Sequence, residues 1–325
     1  MSLPPALSGP LALPVVASPL FIVSGPQLVA AQCAAGVIGS FPALNARPAS
    51  LLREWLAELT EGLEASRAQG NTPAPFAVNQ IVHRSNDRLE EDLQACVDYE
   101  VPIVITSLGA REEVNEAVHS YGGIVLHDVI NNRFAHKAIE KGADGLIAVA
   151  AGAGGHAGTT SPFALLREIR EWFTGPLLLS GAIADGRSIL AAQIAGADMA
   201  YVGSAFIATE EANAVPAYKQ MLVEGSSADI VYSSHFTGVP GNYLRASIEA
   251  AGLDPDSLEG SDPSSMNFGS GGTKAWKDIW GAGQGIGSIK EVTTVSAVVE
   301  RLVAEYRAAR QVPVWTGEAL ASLPV

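Results

Sequence analysis

PLLLSGAIADGRSILAAQIAGADMAYVGSAF, residues 176–206, decides the fold. Residues 176–181 and 198–203 are apolar runs ending in Gly181 and Gly203, and residues 186–196 between them carry a helical pattern. A continuously apolar run, rather than an alternating one, reads as a parallel strand covered on both faces. The stretch is therefore one strand–helix–strand unit. The same rhythm extends back toward the N-terminus, with apolar runs at 13–18, 36–40, 75–81, 102–107, 123–128 and 144–150. Helical patterns separate them at 26–35, 89–100, 111–120, 133–141 and 163–173. In a further one, Leu51, Leu52, Trp55, Leu56, Leu59 and Leu63 form a single stripe with Glu54, Glu58, Glu61 and Arg67 off it. Eight such runs with helices between them predict an α/β chain folded as a (β/α)8 TIM barrel. The rival doubly wound sheet lacks its GxGxxG fingerprint, because the first strand is followed by ASPLFIVSGP.

The chain has 325 residues, more than the ~250 of a typical barrel. The surplus lies after the eighth unit. Residues 225–274 lose the rhythm and turn rich in Ser, Gly, Asp and Pro, and helical periodicity returns at 292–309. A barrel formed by 1–212 and 290–325, with a small inserted second domain or lid at 213–289, is the expected organisation.

Composition excludes several classes. With 48% hydrophobic and 17% charged residues, the chain is too apolar to be intrinsically disordered. A net charge of −14 argues against a nucleic-acid partner, which would need a basic face. No apolar run reaches the ~18 residues of a membrane span. The apolar segment 11–23 has no basic flank, since the first basic residue is Arg47, so a secretion signal is not expected and a cytoplasmic location is. Cys33 and Cys96 fit neither a disulfide framework nor a zinc site, and no metal is expected.

Two glycine-bearing strand ends carry the chemistry. Ser180, Gly181 and Ala182 close one strand, and Gly203 and Ser204 close the next. In barrels that bind phosphorylated ligands, backbone N–H groups after these two strands hold the phosphate. The segment AVAAGAGGHAGTTSP, 148–162, surrounds His156 with small residues, where the imidazole has little packing to do and a near-neutral pKa suits proton transfer.

With VVASPLFIVSG near the start, PFAVNQ at 75–80, AGAGGHAG at 151–158, the 180–209 stretch and WKDIWGAGQGIG near the end, the chain resembles the nitronate monooxygenase family, formerly the 2-nitropropane dioxygenases. The resemblance covers nearly the whole chain. It implies an FMN-containing barrel that oxidises alkyl nitronates or nitroalkanes with dioxygen, without consuming a reduced nicotinamide. It places Ala17, Ser18, Pro19 and Leu20 along the flavin ring, Asn79 on the ring's polar edge, and Gly154 and Gly155 close to the cofactor. Gly181, Ala182, Gly203 and Ser204 would hold the phosphate, and Gly283 and Gln284 would complete the pocket. His156 would be the catalytic base or a charged partner for an anionic nitronate.

The chain departs from the family pattern after the 123–128 strand, where many members carry His-Lys and this one carries His127-Asp128. Both are cofactor-binding candidates, Asp128 having helix capping as its plain alternative. Relatives on the same scaffold include NAD(P)H-dependent flavin reductases of quinones or enoyl thioesters, a reading that stays open beside the first, as does a homodimer. His235 is a candidate for reaching the site from the lid, and Phe236 and Tyr243 either wall the pocket or pack the small domain. His83, His119 and His136 read as surface residues.

Overall fold

The computed structural model describes residues 3–262 and 278–312. Most of the Ser/Gly-rich run at 261–272 lies outside them. Eleven strands are defined among the described residues: β1 (Val15–Ala17), β2 (Gly39–Pro42), β3 (Phe76–Ile81), β4 (Ile103–Ser107), β5 (Ile124–Val129), β6 (Gly145–Val149), β7 (Gly155–His156), β8 (Leu177–Ser180), β9 (Met199–Val202), β10 (Ile230–Ser233) and β11 (Gly241–Leu244). Eight of these form one sheet in the order β1-β9-β8-β6-β5-β4-β3-β2, with every pair parallel. A parallel bridge from Val16 to Ile38 joins the two ends and makes the sheet a barrel.

Alternation along the strands sorts their side chains into two cores, as a pleated strand requires. Val16, Ala77, Ile103, Ile105, Leu126, Ile147, Leu178 and Met199 fill the barrel interior together with Leu7. Their neighbours Val15, Val78, Val104, Val125, Leu146, Leu179 and Ala200 face outward and pack under the helices. The helix Leu51–Ala68 buries Leu52, Leu56, Leu59 and Leu63, part of the stripe expected from its spacing. Burying each such side chain is worth roughly 1.5–3 kcal/mol.

The closing helix, Val295–Ala309, lies against the helix Gly186–Ile194 that links β8 to β9. It approaches so closely that a Cβ on Gly186 would strike the backbone at Tyr306 and Leu302. Residues 230–250 build a small antiparallel sheet and a short helix. In this sheet β11 pairs with β10 on one side and with the two-residue β7 on the other. Tyr243, Ile248 and Ile279 form the core beneath it, with Val231, Phe236 and Leu258 packed against them. Phe236 and Tyr243 therefore pack this small core. No helix among the described residues is long and apolar enough to cross a membrane.

Candidate active site

A cavity of about 860 Å³ opens at the C-terminal ends of the barrel strands, within the size range of small-molecule and cofactor sites. Its wall includes Ser18, Pro19, Leu20, Asn79, His127, Asp128, Gly154, Gly155, His156, Ser180, Gly181, Ala182, Gly203, Ser204 and Gly283. Two expected residues are not in the wall. Ala17 is fully buried in the outer core, and Gln284 supports the loop behind the wall, its backbone N–H donating to the Gly152 carbonyl at 2.9 Å.

The floor is the last inward-facing layer of the barrel. Asn79 Nδ2 donates to Ser107 Oγ at 2.8 Å, and Ser107 Oγ donates to Asp128 Oδ2 at 2.6 Å. The other carboxyl oxygen, Asp128 Oδ1, and the Tyr201 hydroxyl are buried with no hydrogen-bond partner among the described residues. Burial pushes the Asp128 carboxyl up to about 6, against which the Ser107 hydrogen bond acts only partly. Burial, and then the neighbouring Asp128 charge, hold the Tyr201 phenol well above its usual value. Asp128 is not the helix cap; Asn131 fills that place, its side chain accepting from the Phe134 N–H. His127 is one residue out of phase with Asp128 and pairs through Nδ1 with Thr106 Oγ1 at 2.6 Å. Burial, and secondarily the Lys137 charge, lower its pKa to about 4.

His156 sits on the wall, held by the small antiparallel sheet. Through β7 and β11 it pairs with Gly241, and Asn242 Nδ2 donates to the Ala153 carbonyl at 2.6 Å. His156 Nε2 lies 3.0 Å from Thr237 Oγ1. That hydroxyl also donates to the Val239 carbonyl at 2.9 Å. Burial lowers the His156 pKa to about 4 rather than leaving it near neutral. The imidazole is thus uncharged at neutral pH, with a lone pair on one ring nitrogen.

The loops around it meet at single atoms. The Gly152 carbonyl accepts from Ala182 N at 3.2 Å as well as from Gln284 N, and Gly283 N donates to Ser204 Oγ at 2.9 Å. A Cβ on Gly154 would lie 2.8 Å from Gly283 N, and one on Gly181, whose φ is +143°, 2.8 Å from the Ala151 carbonyl oxygen. At Gly203 an added Cβ would find only ordinary contacts, 3.5 Å to Leu20 and Ser18, so the chain's own packing does not require glycine there.

Ser107, Tyr201, Thr237 and Asn242 were not foreseen from the sequence. Each meets elements distant in the chain: Ser107 through Asn79 and Asp128, Tyr201 beside Asp128, Thr237 through His156 and Asn242 through Ala153. His235 lies outside the cavity wall, its Nδ1 2.7 Å from the Glu259 carbonyl. His119 and His136 are exposed, paired with Asp144 and stacked on Trp172 respectively, and half-buried His83 contacts Ser85. Cys33 and Cys96 are buried, which pushes both thiols up to about 12. The described residues contain no cluster of side chains that could hold a metal ion.

A model of the nitronate monooxygenase family matches residues 68–305. A putative monooxygenase of Mycobacterium tuberculosis is 28% identical over 241 residues, covering 69% of this chain and 64% of that protein. The chain thus spans just under two thirds of that relative's length. A nitronate monooxygenase of Paraburkholderia phytofirmans is 28% identical over 295 residues, 76% of this chain and 77% of that one. Among solved structures, a nitroalkane oxidase of Streptomyces ansochromogenes superposes with a TM-score of 0.77 at 27% identity, covering 94% of this chain and 99% of the other.

Proposed function

The chain belongs to the nitronate monooxygenase family, and on that premise we propose that it is an FMN-dependent oxidoreductase that oxidises alkyl nitronates, or the nitroalkanes that yield them, with dioxygen. The observation that carries this reading is His156, an uncharged imidazole on the cavity wall whose Nε2 lies 3.0 Å from Thr237 Oγ1.

The residues present fit FMN. The floor keeps two buried polar atoms, Asp128 Oδ1 and the Tyr201 hydroxyl, without a protein partner, and the glycine at position 203 leaves backbone accessible where packing makes no demand for it. The backbone at Gly181, Ala182, Gly203 and Ser204 would hold the phosphate. Ser18, Pro19 and Leu20 would line the ring, with Asn79 and Asp128 at its polar edge. When bound, the flavin supplies the electron acceptor that dioxygen reoxidises.

The protein's own part is acid–base chemistry and enclosure. His156 takes the α-proton of a neutral nitroalkane, and its contact with Thr237 orients the ring. The segment carrying β10 and β11, joined to the His156 loop through β11, lines the cavity with Tyr232, Val239 and Pro240 and would help keep water from the reacting carbon. Replacing His156 with Asn tests the assignment. Oxidation of neutral nitroalkanes should fall by about 10²–10⁴-fold, the usual worth of a general base, while preformed nitronates are still oxidised and FMN stays bound. Unchanged turnover of the neutral substrate refutes the base assignment.

A further inference from the structure

Several segments raise apolar side chains around the cavity's outer rim. Phe21 and Ile22 come from the loop after β1, Leu44 from the turn after β2, Ile130 from the residue after β5, and Phe134 from the helix Asn132–Glu140. Ile22, Ile130 and Phe134 line the cavity yet remain 38%, 40% and 44% exposed. The helix buries Ala135 and Ala138, so Phe134 is not part of its core-facing stripe. Large apolar side chains left exposed together around one concavity mark a binding surface, whereas scattered single ones do not.

Ile22 adds an independent reason. Its φ is +58°, the left-handed region that a β-branched residue avoids and that Gly or Asn adopts readily. Two asparagines hold it there: Asn45 Oδ1 accepts the Ile22 N–H at 2.8 Å, and Asn213 Nδ2 donates to its carbonyl at 3.0 Å. An exposed isoleucine in a strained turn contributes nothing to the core. What the turn displays is an apolar side chain at the mouth of the cavity.

We propose that Ile22, Ile130 and Phe134 form a subsite for an apolar chain carried by the substrate, its polar head inside near His156 and its chain lying along the rim. Only the identity of the head group rests on the proposed function above; the subsite rests on the rim. Each methylene removed from water contributes about 0.8 kcal/mol, close to a fourfold gain in affinity.

The test uses the FMN-loaded protein and straight-chain carboxylates from acetate to octanoate, planar two-oxygen anions that resemble a nitronate head but cannot be oxidised in its place. Binding is read by titration calorimetry. Kd should fall about three- to fourfold per added methylene beyond the shortest acids. Phe134→Ser and Ile130→Ser alter exposed side chains, so the fold should be unaffected, and each should flatten that slope. A Kd independent of chain length, a slope unchanged in both variants, or no binding of octanoate overturns the proposal. Because no turnover is needed, a chain-length slope in a protein inert toward nitronates would support the subsite while refuting the nitronate reading. A flat profile in an active one would do the reverse.

Discussion

Replacing Asp128 with Asn should make the protein more stable, and only above a defined pH. The Asp128 carboxyl is buried in the floor of the cavity, with Oδ2 hydrogen-bonded to Ser107 and Oδ1 unpartnered. Burial raises its pKa from 3.8 to about 6. At 1.36 kcal/mol per unit, the roughly two-unit shift corresponds to about 3 kcal/mol. The sign follows from linkage. A carboxyl whose folded-state pKa is raised contributes its stability in full below the unfolded value and loses it as pH rises through the folded value. Wild-type protein therefore gives up about 3 kcal/mol between pH ~4 and pH ~7 at this one site. Asparagine is nearly isosteric, still accepts from Ser107, and has no charge to lose. Urea unfolding of the FMN-free proteins, followed by circular dichroism at half-unit pH steps, reads the difference directly. The stability of D128N relative to wild type should rise by about 3 kcal/mol across that window and be level outside it. A difference that stays flat from pH 4 to 8 refutes the claim that Asp128 is buried against its own charge.

Other consequences are equally direct. Because His156 is held at about 4, kcat/KM for a neutral nitroalkane should show no acid limb near pH 6.5 and should decline only toward pH 4; an inflection at the ordinary histidine value would contradict the burial argument. Gly154→Ala places a Cβ 2.8 Å from Gly283 N, so the variant should lose FMN on gel filtration while wild type retains it. Asn242→Ala removes the 2.6 Å bond to the Ala153 carbonyl. It should cost about 1–3 kcal/mol, by leaving that carbonyl unsatisfied, and lower kcat more than it raises KM.

The barrel was legible because its signal is local. Every unit repeats an apolar run and an amphipathic stripe, and each run falls on a barrel strand within a few residues. The second strand is the instructive shift. The run at 36–40 ends before Phe41 and Pro42, which complete β2, while Ile38 makes the closing bridge to Val16. Proline reads locally as a strand breaker, and its place at the strand end is fixed by the neighbouring β3. His156 was legible for the same local reason, four glycines and small residues around one imidazole. Its low pKa was not, since the residues that meet it, Thr237 and Gly241, lie far along the chain. Ser107, Asp128 and Tyr201 converge from strands far apart in sequence. A single polar residue in an apolar run carries no sign of which way it points until the barrel closes. The rim is hidden likewise, since Ile22 and Phe134 look like ordinary apolar residues and only the φ of one and the exposure of both set them apart.

The central claim is that electrons enter this protein from a nitronate and not from a reduced nicotinamide. The most direct measurement mixes the FMN-loaded protein anaerobically with a preformed alkyl nitronate and, separately, with NADH and NADPH, following the visible flavin absorption. The account predicts that the nitronate changes that absorption, that air restores it, and that neither nicotinamide changes it on the same timescale. Rapid bleaching by NADH or NADPH, with none by the nitronate, would contradict it and assign the chain to the reductases built on the same scaffold.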